Sequence, residues 1–483
     1  MPLPRAIAPD PTREPMSTAL VWLRRDLRLA DNPALTAACA AHDRVLVAYV
    51  HAPQEEAPWQ PGAASRWWLH HSLHALQGQL ESHGGRLHLV AGDSLDCLRE
   101  LIKRSKAKTV YWNRLYEPSV IQRDKLIKAA LRADGIAAES LPGNLWCEPW
   151  QLATAEAQPY RVFTPFWRKL RAQLPERAPL PPAKAGQWLK LSGGAALDSL
   201  ALLPRIPWDA GLHETWRPGE AGAREQSSLF LDDAASDYAR GRDLPGRHGT
   251  SRLSPHLHFG EITPAQISHA LRSRDARRRH IDAEPFLREL GWREFAHHLL
   301  YHFPRTSEEN FNPRFDAFRW ASDDDALWRW QRGRTGVPLV DAGMRELWHT
   351  GWMHNRVRMV TASWLSKNLR QHWRHGARWF WDTLVDADLA SNTLGWQWIA
   401  GCGADAAPYF RVFNPFAQAE KFDPDAAYLK RWLPELATLP ARLLHEPARD
   451  PQALAACGYP PPMADPAASR QAALAAWQSL PRA

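Results

Sequence analysis

Cysteine is scarce in this chain of 483 residues. Its five cysteines are scattered along the sequence, and no two of them form a C-x-x-C pair. This spacing argues against a disulfide framework and a zinc ribbon. It favours a reducing, cytoplasmic setting, and it gives no reason to expect a bound metal.

Long apolar runs are also missing. The longest clean apolar stretch near the N-terminus, Val45–Val50, is far shorter than the roughly 20 residues that a membrane span needs. The first residues lack the basic, apolar and small-residue order of a signal peptide. We therefore expect no membrane association. The fingerprint G-x-G-x-x-G is absent as well, which argues against the usual dinucleotide-binding site.

Tryptophan, in contrast, is abundant. The chain has 25 tryptophans, and twelve of them lie between Trp292 and Trp398. This density is typical of a large helical core, but it also fits a site for a flat ligand or a redox role for indole rings. The net charge of +8 is as compatible with a nucleic-acid partner as with ordinary solubility. Composition decides neither question.

Strand and helix patterns alternate in the first third of the chain. The predicted strands are Ala19–Leu23, Val45–Val50, Arg86–Val90, Thr109–Trp112 and Ile136–Leu141. Strands that alternate with helices predict an α/β domain with a doubly wound, parallel, five-stranded sheet.

The whole chain divides into five predicted segments. These are a disordered leader (1–16), the α/β domain (17–146), a long proline-rich connector (147–219), an all-α domain (220–440) and a proline-rich tail (441–483). We expect the tail to be partly ordered at best, because it has few long apolar faces.

The segment GTSRLSPHLHFGE, residues 249–261, carries a helix start. Ser254 is predicted to cap the helix, and Pro255 to take its first position. Thr250 and Ser251 add hydroxyls just before it, an arrangement that suits a phosphate group. An ordinary capped helix is the alternative.

Residues 284–301 are predicted to form one helix. Glu289, Trp292 and Ala296 then share a face at spacings of three and four residues. An exposed carboxylate beside an exposed indole could contact and stack on a base. The alternative places Trp292 in the core and leaves Glu289 as a surface charge.

Two more segments carry polar groups of interest. GWMHNRVR, residues 351–358, is predicted to open a helix that runs to about Trp373, with Asn355 and Arg356 near its start available to an anionic partner. Asp386 and Asp388 lie two residues apart in a predicted turn, and Arg358 is a plausible partner for one of them. A metal site is the weaker reading, because no histidine cluster lies nearby in the sequence.

Six motifs occur in order along the chain: VWLRRDLRLADNPAL, YARGRDLPGRHGTSRLSP, LGWREF, RTGVPLVDAGMRELWHTGWMHNRVRMV, DADLASNTLGWQW and DAAPYFRVFNP. Together they resemble the photolyase/cryptochrome family, and most closely its class I cyclobutane pyrimidine dimer photolyases. The resemblance extends from about Ala19 to Asp423.

The resemblance implies an N-terminal α/β domain, a connector and a helical domain that holds FAD. By motif position, the FAD-binding residues would be Tyr238, Thr250, Ser251, Arg252, Leu253, Ser254, Arg358, Asp386, Ala387, Asp388 and Asn392. Asn392 would face the flavin N5, and Asp386 would pair with Arg358.

The resemblance also implies residues for DNA and for electron transfer. Those that would contact DNA or the flipped dimer are Arg242, Glu289, Trp292, Arg293, Ala296, Asn355, Arg356, Met359, Trp398 and Gln418. Trp396, Trp373 and Trp320 would form the photoreduction chain, with Trp396 nearest the flavin. Asn392 and Glu289 complete the predicted catalytic set.

The implied activity is light-driven repair, in which reduced FAD passes an electron to a flipped pyrimidine dimer in double- or single-stranded DNA. A monomer is expected.

The regions that match the family's folate antenna, Asn113–Val120 and Arg305–Glu309, do not reproduce the folate-binding set, so a folate, a deazaflavin, another flavin or no antenna all stay open. The alternatives are a cryptochrome photoreceptor and a (6-4) photolyase. The latter uses two histidines where this chain has Asn355 and Met359.

Overall fold

The computed structural model of the chain describes residues 17–174, 178–183, 188–406 and 410–481. Within these ranges, five strands form one parallel sheet with the order β3-β2-β1-β4-β5. The strands are β1 Thr18–Leu23, β2 Arg44–His51, β3 Leu87–Ala91, β4 Thr109–Asn113 and β5 Ala137–Leu141. The predicted parallel sheet is confirmed, whereas the predicted leader lies outside the described residues.

Helices cover both faces of this sheet, which explains why β1 is buried along its whole length. They are α1 Pro33–Ala41, α2 Ala63–Ser82, α3 Ser94–Ser105 and α4 Pro118–Ala133. The start of α1 shows how local chemistry sets a boundary. The Asn32 side chain accepts a hydrogen bond from the Leu35 N–H at 3.1 Å, and Pro33 takes the first helical position.

Beyond the sheet domain, the regular structure of the described residues is helical apart from two isolated β-bridges, which confirms the predicted fold class. Its helices are α5 Phe163–Gln173, α6 Ala210–Thr215, α7 Glu220–Leu229, α8 Tyr238–Gly241, α9 Ser254–His258, α10 Pro264–Leu271, α11 Arg274–Arg278, α12 Glu284–His302, α13 Asp324–Gln331, α14 Pro338–Thr350, α15 Asn355–Ser363, α16 Trp373–Thr383, α17 Leu389–Ala400, α18 Pro415–Phe422, α19 Ala427–Trp432, α20 Ala441–His445, α21 Pro451–Ala456 and α22 Pro466–Gln478. Much of the tryptophan forms core here, since Trp330, Trp364 and Trp373 are each at most 1% exposed.

Two predicted helix boundaries were wrong. Leu253, not Ser254, is the N-cap of α9, and it makes no side-chain capping bond, so the Ser254 hydroxyl is not used for capping. The helix that begins at Asn355 does not reach Trp373. It passes into a π-helical turn, Trp364–Asn368, after which Arg370 adopts a φ of 50°. His372 then caps a new helix by accepting the Arg374 N–H.

The last segment carries more regular structure than its proline content suggested. Asp465 accepts the Ala468 N–H and Pro466 follows it, so the proline begins α22 rather than breaking a helix. The Trp477 ring of α22 stacks on Phe410 with 5.6 Å between ring centroids. The tail therefore packs on the helical domain.

No helix within the described residues combines the length and apolarity needed to cross a membrane.

Candidate flavin and nucleic-acid site

The helical domain contains a cavity of about 600 Å³, lined by residues of α8, α9, α12, α15 and α17. This volume lies in the usual range for small-molecule sites. With three exceptions, every residue that the sequence analysis assigned to FAD, DNA or electron transfer lines it. The exceptions are Trp373, Trp320 and Gln418.

One part of the cavity wall is the turn before α9. The Ser251 hydroxyl accepts the Leu253 N–H at 3.3 Å. Arg252 adopts a φ of 51°, and its guanidinium lies 4.7 Å from the centre of the Trp352 ring. Its Nε atom is buried without a hydrogen-bond partner. Burial lowers the pKa of Arg252, yet an arginine keeps its charge in a protein. This turn therefore offers a positive charge and hydroxyls to an anionic ligand.

A buried ion pair forms a second part of the wall. The Arg358 Nη2 atom donates to both carboxylate oxygens of Asp386, at 2.8 and 3.0 Å. Arg358 is itself fixed, because its Nε donates to the Met353 carbonyl at 2.7 Å. This is the pairing that the resemblance implies. It presents a rigid, charged hydrogen-bonding edge to a ligand.

Helix α17 positions Asn392. The Asp388 side chain accepts the Ser391 N–H at 2.8 Å and so caps this helix. One turn later, the Asn392 Nδ2 donates to the Ala377 carbonyl at 3.0 Å. The amide oxygen of Asn392 remains as an acceptor at the cavity wall.

Asp388 also belongs to a buried cluster between the two domains. One carboxylate oxygen each of Glu117 and Asp388 and one ring nitrogen of His297 all lie within 4.8 Å of one another. Although burial raises the pKa of Asp388, the charge of His297, 3.4 Å away, and the nearby ring of His258, 3.8 Å away, hold this pKa well below its usual value. The sequence analysis missed Glu117 and His297, because they are far from Asp388 in sequence.

Another side of the cavity combines charge with flat rings. Arg242 forms an ion pair with Glu289. The Trp292 ring stacks on Phe163, with 3.6 Å between centroids and 9° between planes. Trp292 therefore has two roles. One face packs in the core on Phe163, as the alternative interpretation of this helix predicted, and the residue also lines the cavity. Trp398 is anchored by a hydrogen bond from its Nε1 to the Asp405 carbonyl at 3.1 Å.

Trp352, His258 and Phe380 also line the cavity, although the sequence analysis did not assign them to it. Trp352 and His258 lie inside the motifs GWMHNRVR and GTSRLSPHLHFGE. Their positions in those motifs were the available signal.

Of the three predicted electron-transfer tryptophans, Trp396 lines the cavity, whereas Trp373 and Trp320 lie outside its lining. Trp396 is 2% exposed. Its ring reaches Gly376, where an added Cβ would meet it at 2.0 Å. Trp373 lies one turn before Gly376 on α16. His372 follows, with its ring 5.7 Å from Trp373 and 4.9 Å from the half-exposed Trp320.

Gln418 lies on α18, outside the cavity lining. The same helix carries Phe422, whose ring the Arg356 guanidinium covers at 4.4 Å. Gln418 is therefore close to the rim of the site rather than inside it.

An α/β domain joined to a helical domain with such a cavity is the architecture of a class of flavoproteins. Comparison with known proteins shows which family of this class the chain belongs to. Residues 19–184 match the family model described as DNA photolyase, and residues 286–479 match the FAD binding domain of DNA photolyase. The chain belongs to the photolyase/cryptochrome family.

Among its relatives is a deoxyribodipyrimidine photo-lyase of Agrobacterium fabrum, which is 46% identical over 95% of this chain and 98% of the relative. Cryptochrome-2 of Arabidopsis thaliana is 38% identical over 89% of this chain and 72% of that protein. A crystal structure of a class III photolyase from Agrobacterium tumefaciens superposes with a TM-score of 0.92 at 45% identity, over 97% of this chain and 98% of the other.

Proposed function

We infer that this protein is a flavin-dependent DNA photolyase, a lyase that uses light to split cyclobutane pyrimidine dimers. One observation carries the inference. A single cavity joins the Arg358–Asp386 pair and Asn392 to a wall of flat rings, Trp292 and Trp398. The first set suits a flavin, and the second suits an extruded pair of bases. Irradiation of the reduced protein with dimer-containing DNA tests the inference.

The residues present fit FAD. A positive turn at Arg252 suits its phosphates. The Arg358–Asp386 edge suits the polar rim of a heterocycle. Gly395 borders open space, since a Cβ added there would meet nothing within 4 Å. The Nε1 atom of Trp396, like Nε of Arg252, is buried without a hydrogen-bond partner.

When bound, FAD would supply the light-excited electron. The protein's own residues position the reactants and exclude water. Asn392 would accept a hydrogen bond from the ligand, with its amide held by the Ala377 carbonyl. Trp292 would offer a flat face to the flipped dimer, whose damaged stacking lowers the cost of extrusion. Met359 and Phe380 add apolar wall.

We place the chain with class III photolyases rather than class I. The Agrobacterium tumefaciens structure, described as class III, supports this at 45% identity over nearly the whole of both chains. Repair is favoured over a photoreceptor role, because Glu289, Trp292 and Met359 line the cavity together. We also propose that the protein acts in the cytoplasm and that it is a monomer. Sedimentation would test the monomeric state.

A second, light-harvesting chromophore is part of the proposal. The photolyase of Sulfolobus tokodaii, 31% identical to this chain, was solved with two FAD molecules. Extraction of the purified protein followed by chromatography would identify any chromophore besides FAD.

We expect Trp292→Ala to weaken binding to dimer-containing DNA far more than binding to undamaged DNA. Stacking of a base on an aromatic side chain contributes about 1–3 kcal/mol, which is roughly a five- to hundred-fold change in affinity. Loss of the Phe163 stack will also lower the melting temperature. Titration of labelled oligonucleotides measures the affinities, and Trp150→Ala, a 47% exposed tryptophan outside the cavity, is the control. Equal losses on both DNAs would make Trp292 purely structural.

We expect Arg356→Ala to weaken DNA binding and its dependence on salt. Arg356 is at the rim of the cavity, 2.6 Å from Asp243. If it neutralises one phosphate, its removal will reduce the slope of log K against log salt by about 0.9. Arg449→Ala, in an exposed pair with Glu446, is the control. An unchanged slope for Arg356→Ala would show that this arginine meets no phosphate.

A further inference from the structure

His297 has acceptors at both of its ring nitrogens. Nδ1 lies 3.0 Å from the Arg293 carbonyl, and Nε2 lies 3.4 Å from the Asp388 carboxylate. Neither a carbonyl nor an ionised carboxylate can donate a hydrogen bond. Both nitrogens satisfy these partners only if each carries a proton, as they do in the charged imidazolium.

The surroundings of the ring support this charge. The charged or titratable groups near it are Arg25, Tyr116, Glu117, His258, Arg293, Glu294 and Asp388. Although burial lowers the pKa of His297, Asp388 raises it above its usual value. The ring itself is 5% exposed, so water does not screen these interactions strongly.

The cluster connects the two domains. Glu117 is the N-cap of α4 in the α/β domain, and Arg25, which follows β1, lies 2.8 Å from its carboxylate. Asp388 is the N-cap of α17 in the helical domain, and α17 carries Asn392 and Trp396 at the cavity wall. One ring nitrogen of His297 and one oxygen of each carboxylate all lie within 4.8 Å of one another.

We propose that His297 is a positioning residue for the flavin site, a charged bridge between Glu117 and Asp388 that holds the start of α17 in place. One oxygen of Asp388 caps this helix and the other faces the imidazolium, so the charge on His297 keeps the cap ionised and oriented. The alternative is that a metal ion binds between Glu117, His297 and Asp388. This alternative is less favourable, because Arg25 already supplies a positive charge to Glu117.

This bridge rests on the proposed flavin function, and it has a defined pH dependence. A group whose pKa is higher in the folded protein stabilises that protein fully below its unfolded pKa, which is about 6.5 for histidine. The stabilisation is lost as pH rises through the folded pKa. Asp388, with its lowered pKa, stays ionised down to acidic pH. The bridge therefore weakens on the alkaline side.

The rate of FAD release, followed by fluorescence of the freed flavin, tests the bridge across the pH range. The wild type should release FAD faster as pH rises, with a midpoint above 6.5. His297→Gln should release FAD faster than the wild type at the acidic end, where the wild-type ring is charged, and should show no such midpoint. His297→Arg should keep FAD at all pH values, because it stays charged.

The adjacent His298 supplies the matched control. It is 1% exposed, and burial lowers its pKa to about 4, so His298→Gln should keep the midpoint of the wild type. A histidine NMR titration of the wild type, assigned with His297→Gln, should show His297 titrating above 6.5. Three results would overturn the proposal. They are a His297 pKa at or below its usual value, a pH midpoint that survives in His297→Gln, and one equivalent of metal bound at this cluster. The NMR titration needs no flavin, so a chain that binds no FAD would refute the proposed function separately.

Discussion

Replacing Trp373 by phenylalanine will stop the light-driven reduction of oxidised FAD, while chemically reduced protein will still repair dimers at close to the wild-type rate. Photoreduction must bring an electron from the surface to the cavity, and each stage needs an oxidisable ring. Trp373 lies on α16, whose Gly376 the Trp396 ring reaches, and the His372 ring lies within 6 Å of both Trp373 and the half-buried Trp320. Phenylalanine keeps most of the bulk but is far harder to oxidise. Repair transfers an electron within the cavity, which Trp373 does not line.

The ratio of the two rates in one flavin-loaded preparation is the observable. Phenylalanine loses the hydrogen bond from the Trp373 Nε1 to Asn310, 2.9 Å long, and leaves a small cavity, so some stability will be lost. Trp364→Phe is the matched control, since Trp364 is also 1% exposed in the same core. Photoreduction at the wild-type rate in Trp373→Phe would contradict the assignment. Trp330, 6.1 Å from Trp396, would then be the next residue to test.

The variant Asp386→Ala will be purified with little or no flavin. The Asp386 side chain is 4% exposed and its partner Arg358 is 24% exposed. Removing one member of a buried pair leaves the other charge uncompensated, at a typical cost of about 3–5 kcal/mol. This cost will be divided between a lower melting temperature and a weaker affinity for FAD. The ratio of flavin to protein absorbance and a thermal melt measure the two parts.

An exposed pair of the same type provides the comparison. Asp134 and Arg99 are also 2.8 Å apart, but their side chains are 39% and 46% exposed. Because solvent screens such a pair, Asp134→Ala should lower the melting temperature far less than Asp386→Ala and should leave the flavin content unchanged. A flavin content in Asp386→Ala equal to that of the wild type would show that the Arg358–Asp386 edge does not hold the cofactor.

The sheet could be predicted closely from the sequence, and the connection after α15 could not. Each strand was placed within one or two residues, because short apolar runs between turn residues have few alternative structures. The helix expected to reach Trp373 showed the limit of periodicity. Its apolar pattern continues across Arg370, where the chain turns and His372 starts α16. A change of direction in the chain leaves no mark on a hydrophobic pattern.

The candidate site likewise has a part that could be predicted from the sequence and a part that could not. Nearly every residue that the motifs assigned to the site lines the cavity, because those residues lie in a few short segments. The motifs did not identify Phe163 beneath Trp292, since Phe163 belongs to α5 in the connector. They also missed the Glu117–His297–Asp388 cluster, whose members come from two domains. Contacts between distant segments depend on the packing of whole domains, which local spacing does not encode.

Repair of a defined lesion by light tests the central claim most directly. The purified protein, with its FAD fully reduced, is mixed with an oligothymidylate that carries cyclobutane dimers and is divided between blue light and darkness. The account predicts that the base absorbance lost on dimer formation returns in the illuminated sample and not in the dark one. Equal recovery in both samples, or no recovery in light with fully reduced FAD, would contradict it.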